Sequence, residues 1–123
     1  MCVHVVSTNS NLTAKKYTIT LDYDVLTTGS FFGIRKINGI LYAKGAFSLT
    51  VDSLTGWENT VIGQVTDWDN SAVANLLLIT TIGHDIPTLA INISSSGEII
   101  VTTQETLSSV SGRYFYGNGI HML

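Results

Sequence analysis

Hydrophobic and polar residues alternate with a period of two in several short stretches of this chain. Between 17 and 23, Tyr17, Ile19, Leu21 and Tyr23 fall on one face, and Thr18, Thr20 and Asp22 on the other. That spacing, in a β-prone segment, predicts a half-buried strand. Two longer runs, 31–37 and 40–51, flank Asn38-Gly39. Adjacent residues that both tolerate φ > 0 are what a two-residue type I′ hairpin turn requires, so a strand, a turn and a strand are expected here. In the second arm Leu41, Ala43, Gly45, Phe47 and Leu49 share a face.

The pattern continues along the chain. Strands are expected at 3–6, 60–65, 73–82, 88–94, 98–103, 113–116 and 120–123, with polar or glycine-bearing connections between them. The run at 73–82 fits a helix or a strand until Ile79-Thr80-Thr81-Ile82 tips it to strand. Ser95-Ser96-Gly97 marks a second hairpin. Pro87, the only proline, falls in the loop at 83–87, where its missing N–H costs nothing. Eight to ten short strands with no convincing helix make the fold class all-β, an antiparallel β-sandwich or barrel. The 123 residues suffice for a single domain with one core, in which 1–15 can form an N-terminal arm or shoulder strand.

Composition agrees. Apolar residues make up 45% of the chain and charged residues 12%, about half the share of an average soluble domain. So little charge suggests that other subunits cover part of the surface. The net charge is −3, and the basic residues form no cluster larger than Lys15-Lys16 or Arg35-Lys36, which argues against nucleic acid as a partner. The single Cys2 excludes an intramolecular disulfide and a cysteine-based zinc site. No apolar run approaches the roughly 18 residues of a membrane span, and the first residues lack the features of a secretory signal.

Candidate chemistry is sparse. The three histidines, His4, His84 and His121, lack metal-ligand spacing, and no metal or cofactor is expected. Asp67-Trp68-Asp69-Asn70 is the densest polar cluster. It lacks the glycine and terminal glutamate of a calcium loop. Asp67 and Asp69 would share a face in an extended segment, but spacing alone does not make them a glycosidase pair, and a solvated turn stabilised by Asp and Asn is the preferred reading. Trp57 and Trp68 sit in or beside loops. There they can stack on a sugar ring whose hydroxyls Asp, Asn or His would bind, or they can plug an end of the sandwich. With no nucleophile elbow and no phosphate-cradling loop, an enzyme is disfavoured.

The segment 34–47, Ile-Arg-Lys-Ile-Asn-Gly-Ile-Leu-Tyr-Ala-Lys-Gly-Ala-Phe, resembles a pattern in the C-terminal head domains of bacteriophage tail fibres and receptor-binding proteins. There an arginine-lysine pair leads to a glycine-asparagine turn and then to an apolar strand with a small residue. Echoes follow at 61–63, 89–93, 96–99 and 112–114. The chain departs from the pattern in reading Asn-Gly at the turn, and in placing 64–69 where the family has a proline-bearing loop. The resemblance implies a β-sandwich or barrel head forming a homotrimer on the virion tail, beside other phage tail proteins. It further implies non-enzymatic adhesion to a host surface saccharide. The loop residues Trp57, Asp67, Trp68, Asp69 and His84 are the expected contacts, chosen from the residues and not carried over from the family. Arg35 and Lys36 are expected to pair or to face solvent. A structural virion or baseplate subunit without glycan binding, and a tumour-necrosis-factor-like trimer, are the rival readings.

Overall fold

The computed structural model describes residues 14–71, 74–77, 80–81 and 89–123, so the strand expected at 3–6 lies outside the described residues. The described residues contain twelve strands and no helix. They are β1 Ala14–Lys16, β2 Ile19–Leu21, β3 Phe31–Ile37, β4 Ile40–Ser48, β5 Ser53–Leu54 and β6 Thr60–Val65, then β7 Ala74–Leu77, β8 Thr80–Thr81, β9 Ala90–Ile93, β10 Glu98–Thr102, β11 Leu107–Ser108 and β12 Tyr114–Met122. One five-stranded sheet has the order β1-β3-β4-β12-β8 and the other β2-β6-β10-β9-β7. Every named strand pair is antiparallel.

Both sheets contribute to one core. Phe32, Ile34, Leu41, Ala43, Phe47 and Phe115 point into it from the first sheet, and Ile62, Val65, Ile91, Ile93, Ile99 and Val101 from the second. Each fully buried Leu or Ile contributes about 1.5–3 kcal/mol, so this interior is the main favourable term in folding. The fold is therefore an all-β antiparallel sandwich. Its alternation is clearest in β9 and β10, where every second residue is buried.

The hairpin at 31–48 forms as its sequence dictates. Asn38 and Gly39 both adopt positive φ, 51° and 76°. Ile37 then faces Ile40 across the turn, and that register puts Leu41, Ala43, Gly45 and Phe47 inward. The second hairpin closes through Gly97 at φ 90°, with Ser94 N–H donating to the Glu98 carbonyl at 3.0 Å.

Three expectations are corrected. The single strand read at 17–23 is a crossing between sheets. Tyr17 N–H donates to Ile34 of the first sheet at 3.0 Å, while the Thr18 carbonyl accepts from Thr66 N–H beside the second. Tyr17 is buried, but Tyr23 is exposed in a turn. Likewise 73–82 is divided between β7 in the second sheet and β8 in the first. Strands at 113–116 and 120–123 are one nine-residue strand, because Gly117-Asn118-Gly119 pairs in register with Gly45, Lys44 and Ala43 instead of turning. The count exceeds ten because β5 and β11 pair within segments read as connections, seating Leu54 and Leu107 against the core.

Candidate functional site

The densest polar cluster of the sequence is also the densest in space, and it is tied to the crossing at Tyr17-Thr18. Asp67 Oδ1 accepts the Thr18 N–H at 2.9 Å, and its carbonyl accepts from Lys15 Nζ at 3.0 Å. Asp69 accepts from the Tyr17 hydroxyl at 2.6 Å and from Lys15 Nζ at 3.1 Å, and Lys36 Nζ lies 3.6 Å away. Asn70 Nδ2 donates to the same tyrosine hydroxyl at 3.1 Å. Between the carboxylates, Trp68 packs on the core with its ring centroid 5.4 Å from that of Tyr17. Its indole N–H is buried with no partner among the described residues.

These contacts set the electrostatics. The Tyr17 hydrogen bond, then that of Lys15, hold the Asp69 carboxyl down at about 2, with Lys36 adding to the effect against a small cost of burial. The hydrogen bond to Asp69 in turn raises the Lys15 ammonium. A carboxyl held this low is ionised at neutral pH and has no proton to donate, so Asp69 is unsuited to the acid role in glycoside hydrolysis. Asp67 and Asp69 tie the loop after β6 to the sheet crossing at Tyr17-Thr18, with the Asp69 side chain still about half exposed, and Trp68 packs on the core between them.

Trp57 lies elsewhere. It precedes β6, whereas residues 67–70 follow it, and six strand residues span roughly 20 Å. Contacts on β10 agree: Trp57 N–H donates to the Thr103 carbonyl at 2.8 Å past one end, while Gly97 approaches Trp68 before the other. The two tryptophans therefore cannot form one small site. Trp57 is 73% exposed and sits at φ 65°, a conformation non-glycine residues seldom adopt. His84 lies outside the described residues.

A different surface gathers residues that are not among the expected contacts. Strand alternation turns Phe31, Gly33 and Arg35 of β3, Tyr42 and Lys44 of β4, and Asn118 and Ile120 of β12 to the outer face of the first sheet. They line a half-open groove of about 900 Å³. Gly33 faces Lys44 and contributes no side chain, and the Phe31 ring leans over it. The Arg35 guanidinium lies 5.8 Å from the Tyr42 ring centroid, and Lys44 Nζ lies 6.0 Å from that of Phe31. Below the groove's aromatic rim, Tyr116, Ile120 and Met122 continue an exposed apolar stripe along β12. The signal in the sequence was the even alternation of β3 and β4. It shows which residues face outward but not which strand lies beside them.

No protein-family model matches the chain, and no curated protein matches it. Among solved structures it is similar to the head domain of the lactococcal phage bIL170, described in connection with a common fold for the receptor-binding domains of lactococcal phages. The two superpose with a TM-score of 0.57 at 17% identity, over 92% of this chain and 99% of that one. The chain thus has the fold of a phage receptor-binding head domain, as the segment 34–47 implied.

Proposed function

We propose that this domain is a receptor-binding head of a phage tail that adheres to a saccharide on the bacterial host surface without cleaving it. The observation that carries the reading is the fold likeness to a phage head domain over nearly the whole of both chains. Two features of the surface support a saccharide. Trp57 offers an exposed indole at one end of the sandwich, and Phe31 and Tyr42 offer rings beside polar groups on the outer sheet face. Rigid aromatic faces with a few polar neighbours on a strand scaffold suit such a ligand.

In this reading the head acts as a homotrimer on the virion tail, beside other tail proteins. The low charge of the chain supports burial between copies. Of the loop contacts, Trp57 and His84 remain the proposed ligand contacts, while Asp67, Trp68 and Asp69 hold the loop in place.

Binding of the purified chain to host cells and to their isolated wall polysaccharide tests the proposal, with reducing-end release measured in parallel and mass determined by light scattering. Saturable binding, no released sugar and a threefold mass are expected. Tight association with another virion protein and no affinity for the polysaccharide would establish a structural subunit instead.

A further inference from the structure

The two small basic pairs of the sequence meet in the first sheet in direct register, Lys15 opposite Lys36 and Lys16 opposite Arg35. Like charges directly opposite on paired strands repel, so each pair needs an anion nearby or carries a cost. Asp69 supplies one for the first pair, at 3.1 Å from Lys15 and 3.6 Å from Lys36. The second pair is turned outward into the groove, and no described carboxylate forms a salt bridge with it. Lys44 adds a third cation two residues beyond Tyr42 along β4, opposite Gly33. None of the described residues lining the groove is acidic, in a chain whose net charge is −3.

We propose that the groove binds an acidic saccharide, with its phosphate or carboxylate seated among Lys16, Arg35 and Lys44 and its ring against Phe31 or Tyr42. This rests on the reading of the domain as a saccharide-binding head. The charge argument selects the acidic group: it would neutralise a like-charge pair that the fold leaves open, and the guanidinium offers a planar fork of donors matched to phosphate or carboxylate. The shape argument selects the sugar. The Phe31 and Tyr42 rings line the groove, each already beside a cation, so one ligand can stack and pair at once.

Calorimetry on the whole chain with maltotriose, a phosphorylated maltotriose and trigalacturonate tests this. One or both acidic probes should bind about tenfold more tightly than maltotriose, and their affinity should fall as salt rises. The stronger acidic arm identifies phosphate or carboxylate as the group recognised. Arg35→Gln combined with Lys44→Gln should lose about tenfold for the acidic probes with unchanged thermal unfolding, since both side chains are exposed. Lys44→Arg should retain binding. Equal affinity for neutral and acidic probes, no binding of the acidic ones, or an unaffected double variant overturns the proposal. So does a double variant that changes only the mass by light scattering, which would assign the face to a second copy, or a single-stranded oligonucleotide that outcompetes the saccharides. A double variant that still adheres fully to host cells defeats this inference and leaves the head reading intact. A native chain that adheres to no host surface, yet binds acidic probes through Arg35 and Lys44, does the reverse.

Discussion

The Tyr17 hydroxyl donates a 2.6 Å hydrogen bond to Asp69, 52 residues further along the chain. This bond joins the point where the chain leaves the first sheet to the loop that follows β6. Tyr17→Phe keeps the ring in the core and its contact with Trp68 but removes the donor. We expect a loss of about 1.5 kcal/mol in urea unfolding, as for other hydrogen bonds to charged groups. An unchanged midpoint would show that the loop is held by its lysines alone.

The same contact gives a pH dependence. Asp69 is held at about 2 in the folded chain, against an ordinary value of 3.8. The folded state therefore favours the ionised form. Its contribution is complete above 3.8 and is lost as the pH falls through 2, because the unfolded chain takes up the proton first. Across that window the unfolding midpoint of the native chain should fall more steeply than that of Asp69→Asn. Parallel curves for the two proteins would count against the assignment.

Trp57 and Trp68 should separate cleanly. Trp68 packs on the core, so Trp68→Ala should cost about 2–3 kcal/mol in thermal or urea unfolding. Trp68→Phe, which also deletes a buried N–H without a described partner, should cost about 1 kcal/mol or less. Trp57→Ala should stay within about 0.5 kcal/mol of the native chain, its side chain being mostly in solvent. A large loss at Trp57 would mean that it packs against something and is not displayed.

Gly97 is the glycine that closes the second hairpin. A Cβ there would stand 2.7 Å from the Val65 carbonyl oxygen and 2.8 Å from Trp68 Cβ, on a backbone at φ 90°. Gly97→Ala should destabilise by about 2–3 kcal/mol, combining strain with a backbone clash. Gly112→Ala, also at positive φ but with open space around it, should cost less and so isolates the conformational part. Equal losses at the two sites would show that the clash relaxes freely.

Local pattern carried much of the fold. Asn38-Gly39 specifies its own turn, since both residues accept positive φ at little cost, and the alternation of β3 and β4 then dictates which side chains are buried. The crossings at Tyr17-Thr18 and between β7 and β8 were not legible. An alternating run reads the same whether its residues belong to one sheet or to two, and only long-range bonds such as Tyr17 to Ile34 divide it. The Gly117-Asn118-Gly119 segment has turn composition, but nine register pairs with β4 keep it extended.

The candidate surfaces divide in the same way. By itself the sequence determined that this is an all-β chain with one tight hairpin at 38–39, a polar cluster at 67–70 and a few scattered cations. Tertiary structure decided what they do. It tied Asp67 and Asp69 to the crossing at Tyr17-Thr18 and set Trp57 at the far end of β6. It laid Lys15-Lys16 against Arg35-Lys36, so that two unremarkable pairs became one basic face. Side-chain alternation is a property of neighbours along the chain and can be read there. Strand register is settled by the packing of the whole core, and it alone determines which distant charges meet.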